Sequence, residues 1–378
     1  MKKLLALLFA LALLLSVAAC AENGGRSGDD DYYEITGLRF STIRVAFIHI
    51  GDDSDPHSST YRHHQATLAM MDELGVVESN VLNLWNVIPG PDVEARIFEA
   101  VDWGAQMIFG TSVGYGPWFL NGARTFPNVQ FFHANGYHAA DAGLENFHNY
   151  VANMTQAQFL AGIAAGLRTE TNRIGFVAPH PEPEVIAGFN AFFLGARSVN
   201  PSVTMDVMYL YMWNNPTLEG LFAGMLIDAG ADVIAVHADS PEVVLTAQDR
   251  GVWAIGFNND FSDIAPDAAI VSPMFNWTPF LTYAVRATVR GDVIPPDSLG
   301  GLEDGMVLLS DLNTAAAASG TSGEIASAES ALRGGRNIFV GPLSDNQGNS
   351  ILADGEAWVS RIALPTWTHI LDGIVVTN

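Results

Sequence analysis

The sequence predicts an α/β protein with two doubly wound, Rossmann-like lobes, each built on a parallel β-sheet. Short apolar segments of strand length alternate with stretches of helical length. This pattern implies right-handed βαβ crossovers. The alternation forms two consecutive series, which indicates two lobes. With 49% hydrophobic residues, the chain has enough apolar material for a buried core in each.

The N-terminal segment is typical of a bacterial lipoprotein signal peptide. Lys2 and Lys3 precede the apolar run Leu4–Leu15, which is too short to span a bilayer, and small residues lead up to Cys20. Cys20 is the only cysteine, so it has no intramolecular disulfide partner, and its position matches a lipobox. An ordinary secretory signal with an incidental cysteine is the alternative. Residues 20–41, rich in glycine and aspartate, are predicted to be a flexible tether.

The charge of the chain excludes some partners. The net charge is −24, and removal of residues 1–19 takes away the only two lysines and leaves −26. Such an acidic surface argues against binding to nucleic acid and against electrostatic adhesion to anionic lipid. Attachment to a membrane is therefore expected to depend on the lipid at Cys20.

Apolar runs bounded by turn residues mark the strands of the two lobes. The first lobe is predicted to contain Val45–Ile50, Val81–Val87, Gln106–Thr111, Val129–Ala134 and Asn149–Met154. The second is predicted to contain Arg173–Ala178, Met205–Trp213, Val233–His237 and Val252–Phe257. Consecutive strands of this kind are expected to pair in parallel.

A helix over Thr155–Thr169 is predicted to join the two series. It contains the small-residue run Ala161–Gly166. A transmembrane dimer helix is the alternative, but the segment is short and carries Gln156 and Gln158, so close packing on a sheet is predicted.

The C-terminal part is predicted to contain a helix and a hairpin. Glu324–Leu332 is alanine-rich and is followed by Gly334 and Gly335, which stop a helix. Turn residues at 341–342 and 346–349 then indicate a terminal hairpin.

Ligands in open α/β sheets bind beyond the carboxyl ends of the strands, which selects the loops that follow each strand. The loops are 51–65, 110–118, 133–137, 179–184, 213–216, 237–240 and 256–260. We expect them to converge on one cleft.

The loop from Gly51 to Gln65 holds three aspartates and three histidines. A zinc site needs three or four ligands at fixed spacing, whereas His63 and His64 are adjacent and point to different helix faces. No nucleophile elbow, HExxH motif or Walker loop supports catalysis. We therefore interpret the loop as the binding lip of the first lobe, with Ser58 or Thr60 capping the helix that begins there.

Several motifs resemble the basic membrane protein (PnrA-like) family. They are Phe109–Ser112, Phe132–Tyr137, Leu160–Gly162, Pro181–Val185, Asn190–Phe192, Leu194–Pro201, Ala229–Ile234 and His237–Ser240. The resemblance runs in order from about Val45 to Asn346. Members of this family are lipoprotein substrate-binding components of ABC importers, and several bind purine nucleosides or purine bases.

The resemblance implies a type I periplasmic-binding-protein fold with three crossover strands between the lobes. The crossings would fall near Asn153–Gln156, near Asp267–Phe275 and after Gly291. The implied division is a signal peptide (1–19), the tether (20–41), a first lobe (42–153 plus about 270–293) and a second lobe (154–269 plus about 294–378). Ligand would favour a closed state because it touches both lobes only there.

The sequence departs from the family at three positions. Asn258 stands where nucleoside-binding members have an aspartate for the ribose hydroxyls, and loss of that acceptor argues against ribose. Ser59 replaces a tryptophan of the adenine-binding branch, and Gln156 replaces a usual glutamate.

Aromatic and polar side chains of the selected loops are the candidate ligand contacts. They are Asp53, Ser59, Tyr61, His63, Ser112, Tyr115, Trp118, His180, Glu184, Trp213, Asn215, Asp239, Asn258, Asp260, Phe275, Asn276 and Trp277. Aromatic rings at loop positions favour a flat heteroaromatic solute, although core packing is an equal alternative for each. Helix capping competes for Asp239, and a first-turn charge competes for Glu184.

The favoured hypothesis is a non-enzymatic, cofactor-free solute receptor for a purine-like compound, anchored outside the cytoplasm by lipid and partnered by permease subunits. The alternative is a receptor for a metal or metal chelate that uses His57, His63 and His64.

Overall fold

The computed structural model describes residues 36–358 and 367–378. The predicted signal peptide and Cys20 lie outside the described residues.

Short strands alternate with helices along almost the whole described chain. The strands are β1 Val45–Ile48, β2 Val81–Leu84, β3 Met107–Gly110, β4 Gln130–Ala134, β5 Phe147–Ala152, β6 Arg173–Ala178, β7 Thr204–Tyr209, β8 Val233–Val236, β9 Trp253–Ile255, β10 Ala269–Val271, β11 Pro273–Phe275, β12 Asp297–Gly300, β13 Val307–Leu309, β14 Leu343–Ser344, β15 Ser350–Leu352 and β16 Ile374–Val376. The helices are α1 Ser59–Leu74, α2 Pro91–Trp103, α3 Gly116–Thr125, α4 Met154–Arg168, α5 Pro183–Val199, α6 Pro216–Asp228, α7 Glu242–Asp249, α8 Thr278–Arg290 and α9 Thr321–Arg333.

Two parallel six-stranded sheets form the two lobes. The first has the order β12-β5-β4-β3-β1-β2 and the second the order β10-β9-β8-β6-β7-β16. Every pairing within them is parallel, as expected for βαβ units. The α/β class and each strand of the two predicted series are thus confirmed. The strands β10, β12 and β16 extend the sheets beyond the predicted series.

The chain passes between the lobes at three points in the described ranges. It leaves the first sheet after β5, returns through β11 and α8, and leaves again between β12 and β13. Strands β11 and β13 pair antiparallel and form a small separate sheet at the crossings. Three crossings between two doubly wound lobes are the arrangement of the type I fold.

The predicted lobe boundaries are wrong at two places. Strand β12 pairs with β5, so the first lobe extends to Gly300 rather than to about 293. Strand β10 pairs with β9, so residues 270–271 belong to the second sheet. In both cases a short strand joins a sheet edge through pairing with a distant segment, which local sequence does not specify.

Helices α4 and α5 touch through their backbones. A Cβ atom at Gly162 would lie 1.9 Å from the carbonyl oxygen of Phe192, and one at Gly195 would lie 2.0 Å from that of Phe159. The small residues therefore permit a close approach, as predicted. At Gly162 and Gly195 the close partner is a helix rather than a sheet, while α4 also packs against the strands β11 and β13 as predicted.

Residues 36–41 are docked on the first lobe, so the predicted tether is too long at its C-terminal end. The Thr36 hydroxyl donates to the Val289 carbonyl at 2.8 Å, and Leu38 and Phe40 pack against the core. At the other end of the chain, α9 is followed by Gly334, and β14 pairs antiparallel with β15. The predicted C-terminal helix and hairpin are confirmed.

Candidate functional site

A cavity of about 650 Å³ lies between the two lobes at the carboxyl ends of their strands. The first lobe contributes residues 135–138, 151–152 and 297–300 to its wall. The second contributes Glu184, Ala187 and His237, and the crossings contribute Asn153–Gln156 and Phe275. Its size falls within the range of small-molecule sites in proteins.

A row of five rings leads from the second lobe, through a crossing, to the first lobe. The centroid distances between neighbours are 4.0 Å for His237–Phe257, 5.8 Å for Phe257–Phe275, 4.9 Å for Phe275–Trp277 and 4.7 Å for Trp277–His63. We call these residues the aromatic row. Its members His237 and Phe275 line the cavity. Their rings can pack against a flat apolar surface there.

Several buried polar atoms near the row have no hydrogen-bond partner among the described residues. They are His63 Nε2, the Tyr150 hydroxyl, Gln158 Nε2, His237 Nδ1 and Asn258 Nδ2. Each of these residues is at most 6% exposed. Buried polar groups are normally paired, so these atoms are exceptions, and His237 is the one of these five residues that lines the cavity.

The two histidines of the aromatic row are neutral at physiological pH. Burial lowers the pKa of His237 to about 3 and that of His63 to about 4. A neutral imidazole has one donor and one acceptor nitrogen, so each ring can bind a neutral polar group without adding charge.

One edge of the cleft is closed by a polar contact between α1 and the loop after β9. The Arg62 guanidinium donates to Asn259 Oδ1 at 3.1 and 2.8 Å, and Asn259 Nδ2 donates to the His57 carbonyl at 2.8 Å. The His57 ring also stacks on Phe261 at 5.5 Å. The lip of the first lobe is therefore held against the second lobe.

A second inter-lobe contact borders the cavity. The Tyr137 hydroxyl donates to Glu184 Oε2 at 3.1 Å. Burial raises the pKa of Glu184 to about 6; the hydrogen bond from Tyr137 opposes this shift and the charge of Glu182 adds to it. The carboxyl group therefore titrates close to neutral pH.

Asp239 follows β8 of the second lobe and has a shifted pKa. Burial, and then the charges of Glu219 and Asp55, raise its pKa to about 7, while a hydrogen bond with the Ser59 side chain lowers it. Ser59 is the first residue of α1 in the first lobe, whereas Asp239 follows β8 in the second. The two side chains therefore lie near each other across the cleft.

The wall of the cavity is acidic. It includes Glu184, Asp297, Glu303 and Asp304, and no arginine or lysine is found among its described residues. Asp297 is held in place by hydrogen bonds from the Ala139 and Ala140 amides and from Asn149. Such a wall repels anions and favours groups that donate hydrogen bonds.

The structure brings part of the predicted site together. Glu184 and Phe275 line the cavity, His63 and Trp277 lie in the aromatic row, and Asn258 accepts a hydrogen bond from the Phe275 amide at 3.2 Å. Ser59 and Asp239 lie near each other across the cleft.

Other predicted residues lie at the margin of the cleft. Asp53 contacts His64 at 3.0 Å on the lip, and Tyr61 is half-buried on α1. His180 and Trp213 lie with ring centroids 5.4 Å apart on the second lobe, where Trp213 is 38% exposed. Ligand contact by these four residues stays a prediction.

Three predicted contacts of the first lobe have other roles. Tyr115 is fully buried, stacks on Phe119 and donates to the Val87 carbonyl at 2.5 Å, so it belongs to the core. Trp118 packs against the same core cluster. The Ser112 hydroxyl accepts from the Gly114 amide and caps a short turn. Tyr115 is therefore a core residue, whereas ligand contact by Trp118 and Ser112 stays a prediction.

Three further predicted contacts are used by the local backbone. Asn215 caps α6 by accepting from the Leu218 amide, and Asp260 is exposed and accepts from the Ser262 amide. The Asn276 amide donates to the Gly305 carbonyl at the crossing. Short polar side chains that follow strands commonly satisfy nearby backbone groups, and ligand contact by these three residues stays a prediction.

The three histidines of the metal hypothesis do not converge. His63 stacks on Trp277, His64 lies beside Asp53, and His57 lies on Phe261. Within residues 36–358 and 367–378, no group of three or more histidine, cysteine, aspartate or glutamate side chains could hold a metal ion. Ser58 was one of two candidates for the cap of α1. It does cap this helix, because its hydroxyl accepts a hydrogen bond from the Tyr61 amide.

Arg62, Asn259, Tyr137, Gln158 and His237 were not predicted as site residues. Of these five, Arg62 could have been selected from the sequence, because it is a cation on the binding lip of an acidic chain. The others become site residues only through the apposition of the lobes.

A solute-sized cavity between two doubly wound lobes with three crossings defines the class of type I solute-binding proteins. Within that class, the chain belongs to the family described as ABC transporter substrate-binding protein PnrA-like, whose profile matches residues 44–330. The predicted family is thus confirmed. Members of this family are solute-binding proteins rather than enzymes; they act outside the cytoplasm and deliver small solutes to permeases.

Relatives and solved structures agree with this placement. A purine-binding protein of Brucella abortus is 32% identical over 320 residues, which cover 83% of this chain and 88% of that protein. A Haloferax volcanii protein, provisionally named an ABC transporter glucose-binding protein, is 34% identical over 271 residues. These residues cover 71% of this chain and 67% of that protein. A solute-binding protein of an ABC transporter system from Conexibacter woesei has a similar fold, with a TM-score of 0.67 and 18% sequence identity. The match covers 78% of this chain and 97% of that protein. In the described part of the present chain, no helix has the length and apolarity needed to cross a membrane.

Proposed function

We propose that this protein is a lipid-anchored receptor of an ABC importer that binds a purine nucleoside or purine base between its lobes. The aromatic row is the observation that carries the purine assignment. Its rings Phe275 and His237 face a cavity of about 650 Å³, and stacking of a base on an aromatic side chain contributes about 1–3 kcal/mol.

The charge of the wall supports an uncharged purine. Four carboxylate side chains but no arginine or lysine are among the described wall residues, so a phosphate group would be repelled. Purine bases and nucleosides carry N–H and O–H donors that carboxylates accept. A nucleotide is therefore a poor ligand for this cavity.

The links between the lobes support enclosure of the solute. Hydrogen bonds from Arg62 and Tyr137 reach across the cleft to Asn259 and Glu184. A ligand that touches both lobes adds to these contacts only in the closed arrangement, so it shifts the equilibrium towards closure. The purine-binding relative from Brucella abortus supports the same ligand class.

A ligand panel tests the purine assignment. Hypoxanthine, adenine, inosine and adenosine, with glucose and zinc chloride as comparisons, are added to the purified protein and the midpoint of thermal unfolding is measured. A ligand at 100 times its Kd adds about 2.7 kcal/mol of stability, which raises the midpoint by roughly 5–10 °C. Stabilisation by glucose or zinc but by no purine would refute the purine assignment.

The lipid anchor is tested separately from the ligand. We expect the full chain, produced in a bacterial host, to incorporate labelled palmitate and to sediment with membranes. The variant Cys20→Ser should lose the label and become soluble while its binding site is unchanged. Equal membrane association of both proteins would contradict the anchor.

A further inference from the structure

Gln156, in the first turn of α4, lines the cavity and is held there by its side-chain oxygen. The Leu302 backbone amide donates to Gln156 Oε1 at 2.8 Å. A backbone amide can only donate a hydrogen bond, so the atom that faces it must be the oxygen of the carboxamide. The orientation of the carboxamide group, and with it the position of Nε2, is therefore defined.

The turn that holds this carboxamide is itself fixed. The Gly301 amide donates to Asp304 Oδ2 at 3.0 Å. The Arg333 guanidinium donates to the Leu302 carbonyl. A Cβ atom at residue 301 would lie 2.2 Å from Gln156 Oε1, so a larger residue there would displace the carboxamide from the Leu302 amide. Glycine at this position permits the close approach.

The nitrogen of the same carboxamide is unpaired and accessible. Gln156 is half-buried, and its Nε2 makes no hydrogen bond to a described residue. This atom is not one of the unpaired side-chain atoms that are fully buried among the described residues. Nε2 is therefore accessible from the cavity that Gln156 lines, where it can donate to a bound molecule.

The fold does not require an amide at this position. Gln156 is the third residue of α4, and the first turn of this helix contains no acidic residue. The helix dipole favours a glutamate there, and a glutamate oxygen would accept from the Leu302 amide as well. What an amide adds is the N–H donor.

That donor complements the carboxyl groups of the wall. Ionised carboxyl groups only accept hydrogen bonds, and four of them line the cavity, namely those of Glu184, Asp297, Glu303 and Asp304. The edges of a purine carry both donors and acceptors. Its donors can pair with carboxyl groups, whereas its ring nitrogens and carbonyl oxygens need a donor such as Gln156 Nε2.

We infer that Gln156 is a specificity-determining residue, whose side-chain nitrogen donates a hydrogen bond to an acceptor atom on the edge of the solute. This inference rests on the proposed purine function. The acceptor is a ring nitrogen or a carbonyl oxygen of the base. A solute that presents only N–H or O–H donors to Gln156 leaves donors facing each other and is discriminated against.

Three variants test this role, with hypoxanthine and adenine each titrated by calorimetry. Gln156→Glu keeps the shape and the oxygen that accepts from Leu302 but replaces the donor by an acceptor. Gln156→Met removes the donor without adding charge. Gln106→Glu is the matched control, because Gln106 Oε1 also accepts from a backbone amide, that of Arg44, at 2.6 Å. Gln106 precedes β3, at the end of the sheet opposite the cavity.

We expect Gln156→Glu to weaken binding of the base that wild type binds more tightly by roughly tenfold or more, because a hydrogen bond is lost and two acceptors then face each other. Gln156→Met should weaken it roughly 3- to 10-fold. Gln106→Glu should leave it unchanged. The midpoint of thermal unfolding of ligand-free Gln156→Glu should stay within roughly 3 °C of wild type, because the helix dipole offsets repulsion by the wall.

The failures are distinguishable. If wild type binds a purine and Gln156→Glu binds it equally well, the role of Gln156 is wrong while the purine assignment stands. A loss in Gln156→Glu without a loss in Gln156→Met, or an equal loss in Gln106→Glu, would show that added charge is the cause and would also overturn the role. If neither base binds to wild type, the proposed purine function fails and the inference fails with it.

Discussion

Arg62 on the first lobe donates two hydrogen bonds to Asn259 Oδ1 on the second lobe, at 3.1 and 2.8 Å. Asn259 in turn donates to the His57 carbonyl at 2.8 Å. The pair therefore connects the lip that precedes α1 to the loop that follows β9. Because Arg62 is part of one lobe and Asn259 of the other, their contact exists only while the cleft is closed.

Loss of this contact should weaken solute binding more than it weakens the fold. We expect Arg62→Ala to reduce the affinity for the identified purine by roughly tenfold, mainly through faster dissociation, since a hydrogen bond to a charged group contributes about 1.5–3 kcal/mol. Calorimetry and stopped-flow fluorescence measure the two effects. Arg96→Ala, which removes two exposed ion pairs within α2, is the control. Identical affinities for the Arg62 variant and wild type would contradict a role in closure.

The Tyr137–Glu184 contact predicts a dependence of stability on pH. Burial raises the pKa of Glu184 from 4.5 to about 6, so the folded protein favours the protonated form. Its contribution to stability is therefore fully present below pH 4.5 and is lost as the pH rises through 6. Glu184→Gln should remove this loss and make the ligand-free protein about 1–2 kcal/mol more stable than wild type at pH 7.

Urea unfolding between pH 4 and 8 measures this difference. Glu303→Gln alters an exposed carboxyl group at the same cavity and should leave the pH profile of wild type unchanged. If the Glu184 variant retained the wild-type profile, the carboxyl group would not be the titrating group.

The backbone contact between α4 and α5 should be intolerant of a single methyl group. A Cβ atom at Gly162 would lie 1.9 Å from the Phe192 carbonyl oxygen, so the helices must separate to accommodate it. We expect Gly162→Ala to lower the free energy of unfolding by at least about 3 kcal/mol. Gly323→Ala, with open space around its Cβ position, should raise it by about 0.5–1 kcal/mol. Denaturant unfolding followed by circular dichroism measures both, and equal stabilities would contradict the packing.

The sequence was sufficient to predict the elements of the fold whose apolar pattern is local. Runs such as Val45–Ile48 and Arg173–Ala178 are buried strands flanked by turn residues, so their type and order follow from pattern alone. Strand β12 carries no such pattern, since Asp297–Gly300 is polar and glycine-containing. It becomes a strand through pairing with β5, which is a tertiary effect.

The site was less predictable than the fold for a similar reason. The rule that ligands lie beyond strand ends located Phe275, Glu184 and Asp239 correctly near the cleft. The same rule also selected Tyr115, whose ring turns into the core, because residue type does not show in which direction a side chain points. Arg62 and Asn259 are 197 residues apart, and only the closure of the lobes brings them together.

The aromatic row makes the sharpest prediction about the ligand. Phe275 lines the cavity, with its ring centroid 4.9 Å from that of Trp277, so a planar base stacked on it would lose that contact in Phe275→Leu. We expect the Kd for the purine to rise roughly 5- to 150-fold, equivalent to 1–3 kcal/mol, with little change in folding. Trp118→Leu removes a larger ring from the first-lobe core cluster and should leave the affinity of the folded protein unchanged. An equal loss of affinity in both variants would show that ring removal acts through stability, and the aromatic row would then have no role in stacking the solute.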